Sequence, residues 1–178
     1  MISSIVAVDQ NWAIGKTNKE TGKGELLFRL PKDLEWFKDY TLHKIVVMGY
    51  TTYLSLPKRP LKDRINVVLW DQATSLDCLE GCITFNNFNT LLNFIQIISK
   101  EIEVVICGGA SIYNLFLPYY DKVLVTKVET AADTAEVYFP NLDKESNFIM
   151  VKKTSKRCDG INDQYITSVN YYLRKKTV

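Results

Sequence analysis

Asp33 is the first residue in this chain that calls for a chemical explanation. It lies in LFRLPKDLEWF, Leu27 to Phe37. At about 100° per residue, a helix through this stretch gathers Leu30, Leu34, Trp36, Phe37 and Tyr40 on one arc, with Asp33 among them. Lys32, Glu35, Lys38 and Asp39 take the opposite arc, where charge normally goes. One account is structural: an acid in the first helical turn is favoured by the helix dipole, or pairs with a core arginine. The other is functional. A carboxylate fixed against an apolar wall accepts two parallel hydrogen bonds from a ligand that presents adjacent N–H donors.

Glycine marks two further places of interest, each where a strand runs into a helix. In IVVMGYTTYLSL, Gly49 follows an apolar run and Thr51 and Thr52 open a short helix. In VVICGGASIYNLFLP, Gly108 and Gly109 precede a helix opened by Ala110 and Ser111. Helix N-termini present unpaired N–H groups, so two such ends can clamp the pyrophosphate of a dinucleotide. No G-x-G-x-x-G and no G-x-x-x-x-G-K-[ST] is present, which excludes the standard dinucleotide and P-loop fingerprints. Arg64 stands just before another apolar run, suited either to a forked carboxylate contact or to a solvated turn.

Other chemistries are poorly supplied. His43 is the only histidine, in a helix-to-strand connection, which argues against a histidine-activated nucleophile. Cys78, Cys82, Cys107 and Cys158 lack metal-ligand spacing and read as free thiols in a reducing cytoplasm; no metal is expected.

The elements that must position these residues follow from pattern. Apolar runs recur at ISSIVAV, KIVVMG, INVVLW, CITF, EVVICGG and KVLVTKVE. Several are unbroken and β-branched, as in strands covered on both faces of a parallel sheet. Helical patterns alternate with them: one after Pro31, one in NTLLNFIQIISK with Asn89 or Thr90 as cap, and one in ASIYNLFLP. NFIMVKKTSK and QYITSVNYYLRK flank the polar turn RCDGIND and predict an antiparallel hairpin. The expectation is a single α/β domain over residues 1–178. Gly15 to Glu25, GKTNKETGKGE, is either a plain surface loop or a mobile lid over a ligand.

Composition narrows the partners. A net charge of +2 from 22 basic and 20 acidic residues gives no special attraction to nucleic acid or to a membrane surface. No apolar run is long enough to span a bilayer, and the N-terminus lacks signal-peptide features.

In order along the chain, SIVAVDQNWAIG, LPKDLEWFK, VVMGYTTYLSLPKRPLKDRINVVL, VVICGGASIYNLFLPYYDKVLVTKVE and VYFPN resemble dihydrofolate reductases. The resemblance runs from Ile2 to about Pro140 and more loosely through the C-terminal hairpin. It implies a mostly parallel central sheet of about eight strands, an antiparallel C-terminal hairpin and about four flanking helices. The implied reaction reduces 7,8-dihydrofolate to tetrahydrofolate, by hydride transfer from a reduced nicotinamide to pterin C6 and protonation of N5. The implied partners are dihydrofolate, the cofactor and antifolates, for a cytoplasmic protein expected to be a monomer.

By the same resemblance, Asp33 holds the pterin's 2-amino group and N3, and Thr126 joins its hydrogen-bond network. Phe28 stands where most members carry tryptophan and keeps an aromatic wall. Ile5, Val6, Leu34 and Phe37 match the wall around the pterin and benzoyl rings, continued by Leu56 and Leu61. Arg64 matches the arginine that binds the substrate's α-carboxylate. On the cofactor side, Ala7, Ile14 and Gly15 match the nicotinamide pocket. Gly49, Tyr50, Thr51 and Thr52 match one phosphate-binding helix start. Cys107, Gly108, Gly109, Ala110, Ser111, Ile112 and Tyr113 match the other, with a cis peptide expected at Gly108–Gly109.

One departure bears on the cofactor. Members usually set basic or hydroxyl side chains after the Gly49 equivalent and at the end of the third strand, to bind the 2′-phosphate. Here those places hold Tyr50 and Thr51, then Leu69, Trp70 and Asp71, and Ser111 stands where some members carry arginine. NADPH is the expected cofactor, with NADH use open; Lys58 is an alternative source of charge. Two other readings share the scaffold: a riboflavin-pathway pyrimidine reductase, and a non-catalytic nucleotide- or pterin-binding relative.

Overall fold

A computed structural model describes residues 1–18, 24–74, 77–156 and 164–176. The main sheet has eight strands: β1 (Ile2–Val8), β4 (Ile45–Gly49), β5 (Ile65–Leu69), β6 (Cys82–Phe85), β7 (Val104–Gly108), β8 (Lys122–Val128), β10 (Phe148–Lys153) and β11 (Thr167–Arg174). Their spatial order is β10-β11-β8-β1-β7-β4-β5-β6. The six strands from β8 to β6 run parallel, while β11 pairs antiparallel with both β8 and β10. Around it lie α1 (Pro31–Thr41), α2 (Tyr50–Ser55), α3 (Phe88–Ile98) and α4 (Ala110–Phe116).

The unbroken apolar runs have the expected cause. Val46, Val47, Val67, Val68, Val104, Val105 and Ile106 are fully buried because both faces of the parallel strands are covered. The chain moves outward from β1 through β4, β5 and β6, then returns with β7 between β1 and β4. That reversal opens a crevice at the carboxyl ends of the strands, where ligands of such sheets bind.

Three expectations need correction. Gly15 to Glu25 is not simply a loop: β2 (Ala13–Thr17) and β3 (Gly24–Leu26) pair antiparallel, and β9 (Val137–Tyr138) completes a small second sheet. Backbone pairing holds these polar residues, and β3 is exposed throughout, so no hydrophobic alternation announces it. Residues 19–23 of that stretch, together with RCDGIND and its Cys158, lie outside the described residues.

The cap of α3 is the second correction. Asn87 accepts hydrogen bonds from the backbone N–H groups of Asn89 (2.9 Å) and Thr90 (3.2 Å), so the helix starts earlier than the sequence pattern suggests. Asn87→Ala should lower stability by about 0.5–2 kcal/mol in denaturant unfolding. An unchanged midpoint would show that water replaces the cap at no cost.

Third, the apolar arc of α1 is not sealed into the core. Thr41 is the helix's one buried residue, and Leu34 is 50% exposed. Pro31 takes the first helical turn, where its missing N–H costs nothing, and α1 lies along the crevice instead of being packed under it.

The opposite, amino-terminal ends of the central strands are fastened by charge. Glu103 accepts from the hydroxyls of Ser3 (2.7 Å) and Tyr40 (2.5 Å) and pairs with Lys44 (2.8 Å) and Lys122 (3.2 Å). Burial alone would push its carboxyl up, but these partners outweigh burial and hold it at about 2, below its ordinary 4.5. Since the folded value is the lower one, the stabilisation is complete above the ordinary value and is lost as pH falls toward about 2. Glu103→Gln should cost about 1–3 kcal/mol at neutral pH, as lost charged hydrogen bonds do, and flatten the acid limb of the stability curve. Equal loss at pH values on both sides of that limb would contradict the assignment.

Candidate active site

The crevice is lined by Ala7 from β1, Ile14 from β2, Leu26 from β3, Leu27, Phe28 and Leu30 from the approach to α1, and Asp33 and Leu34 from its first turn. Asp33 meets Thr126 here. Thr126 sits near the end of β8, directly beside Ala7 of β1, and is 2% exposed. Its hydroxyl donates to Asp33 Oδ1 at 2.5 Å. A pair 93 residues apart in sequence is thus fixed by the sheet on one side and by the helix start on the other. The arrangement presents a hydrogen-bonded carboxylate at the foot of an apolar cleft.

The residues assigned to the ring wall divide by face. Ile5 packs with Val105 and Leu124, alongside Trp36 and Phe37 of α1 and Cys107. Val6, the next residue, points to the other face and joins the core cluster with Val47, Ile106 and Ile112, as the alternation of strand side chains requires. Leu56 and Leu61 pack beside Met48, Tyr53 and Val68. Asn66 holds Leu61 in place, accepting from its N–H (2.9 Å) and donating to its carbonyl (2.8 Å).

Arg64 is neither a loose turn cation nor a core partner for Asp33. Its guanidinium donates to Thr41 Oγ1 (3.0 Å) and to the carbonyls of Lys38 (2.7 Å) and Lys62 (2.7 Å). It therefore caps the C-terminal turn of α1, the negative end of that helix. Nε and both terminal nitrogens each make one of these bonds, and a guanidinium carries five N–H donors, so the fork is held rigid with capacity to spare.

At the neighbouring strand ends, β4 lies between β5 and β7. Gly49 pairs with Leu69 across β4–β5, and Met48 pairs with Gly108 across β4–β7. The Gly108–Gly109 peptide is cis, as expected, and Gly108 has φ 110°. A Cβ on Gly49 would come within 3.1 Å of Ile112 Cγ1, and one on Gly109 within 3.1 Å of Thr52 Oγ1. The two glycines let the starts of α2 and α4 approach closely, and these paired helix starts form a cradle. Ala110 and Ser111 reach this edge, whereas Ile112 and Tyr113 are buried beneath it. Tyr113 donates to the Ile5 carbonyl at 3.0 Å, tying α4 to β1. Burial pushes the Cys107 thiol up to about 12, so it stays protonated.

Beside the cradle, the rings of Tyr50 and Trp70 stack at 4.1 Å with 7° between their planes. The approach to α1 is also pinned: Phe28 packs edge-on against Tyr165 at 5.0 Å. The small sheet is locked by Glu136, whose N–H donates to the Gly15 carbonyl (3.1 Å) and whose carboxylate accepts from the Thr17 N–H (2.9 Å).

Sequence reasoning missed several contributors. Leu26 and Leu27 line the crevice but belong to no regular apolar period. Asp9 is fully buried and accepts from the N–H groups of Asn11 and Ala13 (both 2.8 Å) and Ala132 (3.0 Å). An aspartate placed directly after a strand run was the available signal for that role.

Comparison with known proteins identifies the family. The family model described as dihydrofolate reductase matches residues 1–174. A dihydrofolate reductase of Haemophilus influenzae is 35% identical over 143 residues, covering 80% of this chain and 81% of that protein. One from Neisseria meningitidis serogroup B is 31% identical over 173 residues, covering 97% and 98%. Among solved structures, dihydrofolate reductase from Enterococcus faecalis, complexed with NADP(H) and RAB-propyl, superposes with a TM-score of 0.82 at 25% identity, covering 99% of this chain and 97% of that one. With its eight-stranded sheet, its cis glycine pair and relatives matched along almost its whole length, the chain belongs to the dihydrofolate reductase family.

Proposed function

We propose that this protein reduces 7,8-dihydrofolate to 5,6,7,8-tetrahydrofolate as a single working unit over residues 1–178. The observation that carries the reading is the Asp33–Thr126 hydrogen bond at the foot of the lined cleft. Asp33 accepts from the pterin's 2-amino group and N3, a bidentate contact that sets the ring's orientation. Thr126 donates to one carboxylate oxygen and fixes the rotation of the group. Ala7, Ile14, Phe28 and Leu34 exclude water from the ring faces, leaving one proton route, through water to N5.

Arg64, held against the end of α1, meets the α-carboxylate of the substrate's glutamate tail, with Ile5, Phe37, Leu56 and Leu61 along the path between. Val6 supports that wall from the opposite face.

A reduced nicotinamide dinucleotide, when bound, would supply the hydride. The cradle of Gly49 and Gly109 suits its pyrophosphate, since both helix starts lack a side-chain cap and present backbone N–H groups. Thr51, Thr52, Ala110 and Ser111 border it. The cofactor is a reduced nicotinamide dinucleotide: NADPH in the manner of the family, with NADH also admitted. No described helix is long and apolar enough to cross a membrane. We assign the protein to the cytoplasm as a monomer that also binds antifolates in the substrate cleft. The pyrimidine-reductase and non-catalytic readings gain nothing from the relatives named above, which are all dihydrofolate reductases.

Purified protein given dihydrofolate and either reduced cofactor should form tetrahydrofolate in an amount equal to the cofactor oxidised. Folded protein that oxidises neither cofactor would defeat the reading.

A further inference from the structure

Across β4–β5, Gly49 is level with Leu69, and the next residue on each side contributes a ring to the Tyr50–Trp70 stack. Both rings are half-buried, so each keeps part of its surface open beside the cradle. The charge around them is one-sided. No lysine, arginine or histidine occurs in residues 49–56, 69–74 or 107–117, three segments next to this edge. Asp71, next to Trp70, is exposed. Arg59 lies over the Tyr53 ring and donates to the Leu54 carbonyl at 2.8 Å.

A phosphate monoester carries roughly −1.5 to −2 charge at neutral pH and is normally met by charge-assisted bonds. A ribose hydroxyl needs only an acceptor, which an aspartate at a strand end provides. We propose that Tyr50, Trp70 and Asp71 form a cofactor-selecting edge that takes an unphosphorylated adenosine ribose, so that NADH serves this protein about as well as NADPH. The inference rests on the dinucleotide reading above and names the residues that set its specificity. The aromatic pair fills the place with flat apolar surface, and Asp71 repels a second phosphate while accepting from a hydroxyl.

The test is calorimetric binding of two adenosine fragments to the intact protein, adenosine 5′-monophosphate and adenosine 2′,5′-bisphosphate. Their affinities should agree within about tenfold. A preference for the bisphosphate above about a hundredfold overturns the proposal. Tyr50→Arg together with Trp70→Ser should raise the ratio of bisphosphate to monophosphate affinity about tenfold or more; an unaltered ratio in folded variant overturns it as well. Lys58→Ala needs no rebuilt edge and should leave the ratio alone, whereas a tenfold fall in bisphosphate affinity would assign the charge to Lys58 and overturn the proposal. Turnover separates the two readings. Activity with a strong NADPH preference sinks this inference alone, while absence of turnover with either cofactor sinks the reductase reading and leaves the fragment ratio to decide this one.

Discussion

Asp33→Asn should lower kcat for dihydrofolate reduction at neutral pH by about a hundredfold to ten-thousandfold, the usual weight of a group that governs proton transfer. The amide nearly preserves shape, so the cleft and the Thr126 contact survive in modified form. What it loses is a negative acceptor for two N–H donors and the bias it gives to protonation at N5. The deficit should shrink as the solution is acidified, because N5 of the substrate then takes its proton without help. A mutant as active as the parent at neutral pH would remove Asp33 from the mechanism. A loss of equal size at every pH would leave it a binding residue only. Thr126→Val is the milder companion: a hydrogen bond to a charged group is worth about 1.5–3 kcal/mol, so the fall should be roughly tenfold to a hundredfold.

Removing the Arg64 guanidinium should act on binding and leave the chemical step largely alone. Arg64→Leu is expected to raise KM for dihydrofolate by about thirtyfold or more, the cost of truncating one side of a close charged pair, with kcat changing far less. A dihydropteroate, which lacks the glutamate and its carboxylate, provides the control. The parent should favour dihydrofolate over it, and the variant should scarcely distinguish them. Arg64 also caps α1 through Lys38 and Thr41, so a thermal scan must accompany the kinetics. If both substrates lose equally, the arginine serves the helix and not the ligand.

How much of this was legible beforehand depends on what each residue is held by. The six parallel strands could be read because burial on both faces leaves unbroken apolar runs, as in Val67–Val68 and Val104–Ile106. Asp33 could be singled out because it breaks the pattern of its own helix. The face it breaks proved half-open, with Leu34 50% exposed, since the cleft and not the core lies against it. Unbroken runs also hide which residue faces which side, so Ile5 and Val6 were assigned to one wall although a strand must part them. The β2–β3 pair was illegible for the opposite reason: backbone bonds hold polar residues such as Lys16 against Glu25 with no apolar period. Asn87 was overlooked because Asn89 and Thr90 offer the same chemistry nearby. The Tyr50–Trp70 stack depends on the parallel register of β4 and β5, which no single segment encodes.

The most direct measurement follows the hydride itself. Dihydrofolate is incubated with the protein and a cofactor carrying deuterium at the transferable position of nicotinamide C4, and the product is read by magnetic resonance. Deuterium at C6 of tetrahydrofolate, in step with cofactor oxidation, is the predicted result. Cofactor consumed with no deuterium at C6, or no consumption by folded protein, would contradict it.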